Sequence, residues 1–150
     1  MRAVIQRVTE ASVRIDGQLI SEIGPGFMIL VGIEIRDTLD DVDWLCKKIV
    51  QLRIFNDDEG IMNIPITEVD GDILAVSQFT LHGKTRKGNR PSYIHSAKPE
   101  VAIPLYDAFV KKLGELLGKP VKTGEFGAYM QIGLTNDGPV TILIDTKNKE

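Results

Sequence analysis

Two short strings in this chain carry residue types able to hold and polarise a substrate. In Asp72-Ile73-Leu74-Ala75-Val76-Ser77-Gln78-Phe79-Thr80-Leu81 an apolar strand turns polar at one end. Backbone N–H groups that run out of ladder partners there can point into a cleft, and the hydroxyls of Ser77 and Thr80 add short polar contacts. In Thr135-Asn136-Asp137-Gly138-Pro139-Val140-Thr141 a turn between two apolar runs holds more than a hairpin requires, since Asn-Gly or Asp-Gly alone would join two strands. Gly138 precedes proline, which restricts its backbone, and X-Pro bonds are cis in ~5–6% of folded cases. An ordinary trans-proline turn and a rigid pair of carbonyls are both open on this spacing.

Side-chain catalysis has little to work with. No Ser-His-Asp or Cys-His arrangement is legible. Thr80 and His82, two apart on an extended strand, would share a face, but with Cβ atoms ~6–7 Å apart and no acid placed to orient the ring. The one cysteine, Cys46, excludes an internal disulfide and lies on the apolar face of a predicted helix, as a core residue does. The two histidines, His82 and His95, lack a Cys, His or carboxylate cluster at metal-ligand spacing, so neither a metal nor another cofactor is expected. Asn56-Asp57-Asp58-Glu59-Gly60 lacks the spacing and closing glutamate of a calcium loop and is read as a surface turn.

Charge is unevenly placed. The net charge is −3, yet Lys84, Arg86, Lys87 and Arg90 fall in one stretch without an acid, while acids collect in Asp37–Asp43 and Asp57–Glu59. A basic loop on an acidic body suits a partner offering a few phosphates, such as one RNA end, better than a long duplex. A merely solvated loop is the alternative. DNA is not an expected partner, and neither is a membrane, because charges interrupt every apolar run and the opening Met1–Gln6 lacks the apolar core of a signal peptide. A cytoplasmic location follows as the expectation.

The elements that must position these strings are legible in outline. Residues 2–9, 11–15 and 18–23 read as a meander of strands with Asp16-Gly17 as a hairpin turn. The continuous apolar run Phe27–Ile33 fits a strand covered on both faces. Asp37 or Thr38 can cap a helix with Val42, Leu45, Cys46, Ile49 and Leu52 on one face. A second helix follows Pro99, with Ala102, Leu105, Tyr106, Phe109, Leu113 and Leu116 as its stripe; Pro104 suggests that its regular part begins near that residue, and Gly118 ends it. Segments around 120–123, 129–135 and 140–146 read as further strands. At 150 residues the chain can bury ~68–70% of its unfolded surface without a staple. The expected class is α+β: a single domain over 1–150, with two helices covering a bent, mostly antiparallel sheet.

Ser77–Thr80 as Ser-Gln-Phe-Thr, and Asn136–Thr141 as Asn-x-Gly-Pro-x-Thr, resemble the two diagnostic strings of the D-aminoacyl-tRNA deacylase family, formerly D-tyrosyl-tRNA deacylases. The resemblance extends to Gln6-Arg7-Val8, Leu52–Phe55 with Met62-Asn63, Gly88–Ser92, Phe126-Gly127-Ala128 and Met130-Gln131, and so to nearly the whole chain. It implies a barrel-like sheet and a homodimer with active sites at the subunit interface. It also implies hydrolysis of the ester of D-aminoacyl-tRNA, and of glycyl-tRNA mischarged on tRNA(Ala), as chirality proofreading in translation.

By the same resemblance, Ser77, Gln78, Phe79 and Thr80 surround the reacting ester through main-chain groups. Gly138 and Pro139, cis in the family, reach into the partner's pocket as a filter against L side chains, and Arg7 braces them. On sequence alone Arg7 reads equally as a surface strand charge. Met130, Asn136 and Thr141 support the site, and Lys84, Arg86, Lys87 and Arg90 are assigned to tRNA. Thr80 as nucleophile and assistance by the tRNA's own 2′-hydroxyl are rival mechanisms; the second needs no activated side chain. A paralogue acting on L-aminoacyl mischarged tRNA and a non-catalytic tRNA-end binding module are the alternatives in function. Tyr129 departs from the family's common aspartate in Phe-Gly-Ala-Asp-Met, and Lys84 stands where an aspartate is common.

Overall fold

The computed structural model describes residues 1–150. Strand β1 (Arg2–Ile15) organises the sheet because it is long enough to serve different partners along its length. Its first half pairs antiparallel with β3 (Gly26–Gly32), its second half with β2 (Gln18–Ile23), and β8 (Gln131–Asp145) follows the other edge throughout. Ala3 and Ile5 face one apolar cluster, whereas Val8, Ala11 and Val13 face another. Register shifts at Gln6/Val8 and Val8/Glu10 accompany the change of face. Extra residues in one strand of a pair bend it and increase its twist, which curls the sheet.

Parallel pairing completes the order β2-β1-β3-β6-β7, with β6 spanning Asp72–Ser77 and β7 Lys122–Thr123. Parallel neighbours require long crossovers, here α1 (Leu39–Gln51) and α2 (Pro99–Leu117). The two ends of the sheet nearly meet: Ser21 Oγ on β2 donates to the Thr123 carbonyl on β7 at 2.7 Å. The result is a nearly closed, barrel-like sheet with Val13, Met28, Leu74 and Val76 inside it. A separate hairpin, β4 (Phe55–Asn56) and β5 (Met62–Ile64), encloses the expected surface turn, where Asp57 Oδ1 accepts from the N–H groups of Glu59 and Ile61.

Both helices cover the outer side of the sheet with their predicted stripes. Thr38 N–H donates to Asp41 Oδ2 at 2.9 Å at the start of α1, and Val42, Leu45, Cys46 and Ile49 are buried. On α2, Ala102, Leu105, Tyr106, Phe109 and Leu113 are buried, and Gly118 ends the helix at φ +83°. Phe109 and Leu113 are wholly inaccessible; truncating such a side chain to alanine costs about 2–5 kcal/mol. Gly26 permits the close β3–β6 approach, because a Cβ there, at φ +156°, would fall on the Asp72 carbonyl oxygen.

Four local expectations are corrected. The expected strands 2–9 and 11–15 are one continuous strand, β1, whose partner on one edge changes from β3 to β2 while β8 follows the other edge with register shifts around Val8. Asn136–Thr141 is not a hairpin turn but an interruption within one continuous β8, whose two halves pair the same strand β1. Pro104 lies inside α2, which already begins at Pro99; the hydrogen bond it forgoes would have ended on solvent-exposed Glu100 in the first turn, where the loss is cheapest. Residues Phe79–His82 form a 3-10 turn, not an extended strand, so Thr80 and His82 do not share a strand face.

Candidate active site

Strand β6 delivers Ser77 to the rim of the barrel, and Gln78 N–H still pairs with the Val31 carbonyl at 2.8 Å. Beyond Gln78 the chain winds into the 3-10 turn, whose first residues, Phe79 and Thr80, have N–H groups with no acceptor within the turn. Two of the turn's carbonyls are held from outside: Ser96 Oγ donates to Phe79 O at 3.0 Å and Arg2 Nη1 to Leu81 O at 2.8 Å. The Thr80 carbonyl accepts from the turn's own capping residue, Gly83 N–H, at 2.9 Å. Thr80 Oγ1 accepts from Gln78 Nε2 at 2.5 Å. The Thr80 hydroxyl therefore faces an amide donor, not a base.

Ser77, Gln78 and Phe79 form one wall of a cavity of about 280 Å³; the opposite wall is the segment Phe126–Met130, and Val31, Val76 and Ala102 add apolar surface. The departure residue Tyr129 stands 89% exposed at this wall. A wider groove of about 600 Å³ lies between α1 and β8. It contains none of Ser77–Thr80, and its Trp44 ring is already covered by the ammonium groups of Lys48 and Lys149, at 5.6 and 4.4 Å. Size does not select the site; chemistry does.

Gly138 and Pro139 lie outside the ladder. Residues 137–140 have no partner on β1, and both Gly138 and Pro139 are exposed. The Gly138-Pro139 bond is cis. Asn136 closes the interruption beneath them: its Oδ1 accepts from Val140 N–H at 3.0 Å, while its Nδ2 donates to Gln6 Oε1 at 2.5 Å and Thr141 Oγ1 at 3.1 Å. Arg7 is buried here rather than exposed on a strand. Its Nε donates to Asp137 O at 3.0 Å, and its Nη1 to Ile54 O at 2.7 Å and Asn56 Oδ1 at 3.2 Å. At φ +133°, Gly138 admits no side chain: a Cβ would lie 2.8 Å from Val140 Cγ2 and 3.2 Å from Arg7 Nη2.

Other candidates for side-chain chemistry fall away. Burial pushes the Cys46 thiol up to about 12, and its Sγ contacts the Phe109 carbonyl in the core. Burial likewise moves Tyr106 up to about 12, with its hydroxyl donating to Ala75 O at 2.9 Å. His82 is buried, with Nδ1 3.9 Å from Glu34 and Nε2 unpartnered. No three His, Cys, Asp or Glu side chains converge in a metal-binding arrangement.

A sequence model of the D-Tyr-tRNA(Tyr) deacylase family matches residues 4–145. The chain belongs to this family. It is 66% identical over 150 residues to a D-aminoacyl-tRNA deacylase of Bacteroides fragilis, with both chains covered completely. Among solved structures it superimposes on the c-Myc DNA Unwinding Element Binding Protein with a TM-score of 0.92 and 41% identity, over 97% of this chain and 98% of that one. A probable eukaryotic D-amino acid tRNA deacylase shares the fold at a TM-score of 0.81 and 20% identity, over 95% and 97%.

The structure thus brings Ser77, Gln78 and Phe79 together with Met130 at one cavity, and groups Arg7, Asn136 and Thr141 around Gly138-Pro139. Within this single chain the two groups do not share the cavity. Lys84, Arg86, Lys87 and Arg90 are exposed on the loop after the 3-10 turn. Sequence reasoning missed Arg2, Ser96 and Gln6 as positioning residues. Arg2 lies 79 positions from the carbonyl it holds, and no local pattern signals such a contact.

Proposed function

We propose that this protein hydrolyses the ester joining a D-amino acid to the terminal ribose of tRNA, at the cavity walled by Ser77, Gln78 and Phe79. Membership of the family makes it a hydrolase of the aminoacyl-tRNA ester, a D-aminoacyl-tRNA deacylase with aminoacyl-tRNA as substrate. The observation that carries the finer reading is a cavity lined by Ser77, Gln78 and Phe79 at the start of a 3-10 turn whose first N–H groups have no acceptor within the turn, with the adjacent Thr80 hydroxyl accepting from an amide rather than facing a base.

An aminoacyl ester already hydrolyses spontaneously, so orientation and oxyanion stabilisation suffice to accelerate it. Water adds to the ester carbonyl carbon, and the N–H groups of Phe79 and Thr80 receive the developing oxyanion. The carbon–oxygen bond to ribose then breaks. The proton given up by water reaches the departing ribose oxygen through the neighbouring 2′-hydroxyl. Ser77 and Gln78 fix the amino acid's polar atoms, and Met130 supplies apolar wall.

Chirality is read by Gly138-Pro139 of a second copy of the chain, whose carbonyls hold the amino group of a D-residue and collide with an L side chain. Rejection by main chain is hard to erode by side-chain mutation. Glycine offers nothing to reject, so glycyl-tRNA mischarged on tRNA(Ala) enters as well. The homodimer is supported by the exposure of Gly138 and Pro139, by a 15-residue edge strand β8 paired on one side only, and by Leu143, 75% exposed on that strand. Such edges are rarely left uncovered. Arg7 and Asn136 hold the filter from behind. The protein acts in chirality proofreading in the cytoplasm; no helix is long and apolar enough to cross a membrane.

Matched D-, L- and glycyl-tRNA, incubated with the protein and followed by ester loss, test this reading. D-aminoacyl and glycyl esters are expected to be lost far faster than the L ester. Comparable rates for D and L would remove the filter, and tRNA binding without ester loss would reduce the protein to a binding module.

A further inference from the structure

Beside the cavity an aromatic step stands in solvent. The rings of Phe79 and Tyr93 meet edge to face with centroids 5.1 Å apart, and the two residues are 55% and 38% exposed. The other two aromatic pairs, Phe27 with Phe55 and Tyr106 with Phe126, belong to the core. The step is fixed to the reaction site: Phe79 lines the cavity, Ser96 Oγ pins Phe79 O, and Ser96 N–H donates to Tyr93 O at 3.0 Å. Lys84 and Ser92 close the intervening loop with backbone bonds of 2.8 and 3.0 Å, which seats Tyr93 against Gly83. The Tyr93 hydroxyl has no hydrogen-bond partner. Nor do the exposed side chains of the loop cations Lys84, Arg86, Lys87 and Arg90 form a hydrogen bond or an ion pair within the chain.

An exposed ring beside unpaired cations, one residue from a cavity for an ester, has the chemistry that binds single-stranded nucleic acid: a π-face for a base and positive charge for the adjoining phosphates. We infer that Tyr93, backed by Phe79, is a stacking platform for an unpaired base of the tRNA 3′ strand, next to the nucleotide that bears the ester. This rests on the deacylase reading above and goes beyond it by naming the part of the RNA that is gripped and the ring that grips it. The platform accepts any base, because every base has a stacking face, and it admits unpaired strands only. The cations order the phosphates on either side.

The test compares binding of two uncharged tRNAs, one intact and one trimmed of its unpaired 3′ nucleotides, to the wild type, Tyr93→Ala and Tyr93→Phe. Tyr93→Ala should weaken binding of the intact tRNA by roughly five- to a hundredfold and leave the trimmed tRNA no more weakly bound than to the wild type. Tyr93→Phe, which keeps the ring, should restore the difference. Equal losses on both tRNAs, or no loss, would overturn the platform. So would a lower oligomeric mass for Tyr93→Ala than for wild type by light scattering, which would assign the ring to a contact between copies of the chain. Hydrolysis of D-aminoacyl-adenosine by the wild type reads the deacylase function separately: its absence, with the intact-end preference retained, would sink the function and leave the platform.

Discussion

Two polar regions of this protein differ in how completely their groups are partnered. Where the chain termini meet, the Met1 ammonium contacts Asp37 Oδ1 at 2.5 Å and Thr146 Oγ1 at 2.7 Å. Thr146 Oγ1 donates to Asp41 Oδ1 at 2.6 Å, and Lys147 Nζ reaches Asp41 Oδ2 at 2.8 Å. The side chains of Met1 and Asp37 are fully inaccessible. At the other region, around Phe79–Tyr93, cations lack ion-pair partners and aromatic rings face solvent. Saturated, buried polar groups lock one arrangement, because removing any partner strands a charge. Unsaturated, exposed ones contribute little to folding and are free for a ligand.

The largest test of this contrast is Asp37→Asn. Stranding the ammonium should destabilise the fold by about 3–5 kcal/mol, a fall in melting temperature on the order of 10 °C, read by calorimetry. A fall of only a degree or two would mean that the network is as dispensable as the loop charges. Next comes the reaction itself. A D-aminoacyl-tRNA lacking the terminal 2′-hydroxyl, esterified at the 3′ position, should react about 10²–10³-fold more slowly, while Thr80→Ala should lose far less. A trapped Thr80 acyl-enzyme would reverse the assignment.

Acid should separate the regions more gently. Burial tends to raise the Asp41 carboxyl, but hydrogen bonds from Lys147, Thr146 and the Thr38 N–H outweigh it and hold the group well below the usual carboxylate range. A depressed folded-state pKa contributes stability that is complete above the unfolded value of about 4 and is lost as pH falls below it. The melting temperature should therefore drop on acidification from about pH 5, and Asp41→Asn should flatten that drop. An unaltered pH profile in the variant would exclude Asp41 as its source. The smallest effect belongs to the basic loop. Removing Lys84 and Arg86 together should lower the salt-dependence slope of tRNA binding by at most about 1 per lost contact, with stability changed by no more than about 0.5 kcal/mol. A constant slope would assign the loop to solubility.

Local pattern was enough wherever a single element decided the outcome. The apolar spacing of Val42 to Ile49 and of Ala102 to Leu113 marked both helices, and Gly118 marked an end, because a helix buries one stripe of itself and stops where the backbone turns left-handed. The strings at Ser77–Thr80 and Asn136–Thr141 marked the family without any structure. Pattern failed where partners are distant. Thr135–Thr141 has the residues of a turn, and nothing local distinguishes a hairpin from an interruption whose two sides return to the same neighbour.

The sequence by itself therefore determined the helices, the buried strands and the family, since side-chain period, turn chemistry and motif order are properties of short segments. Only the tertiary structure decided that β1 changes partners midway, that Arg7 is buried under Asp137 rather than exposed, and that Arg2 and Ser96 hold the Leu81 and Phe79 carbonyls of the 3-10 turn. Those outcomes depend on contacts between segments far apart in the chain, whose geometry is set by how the sheet curls.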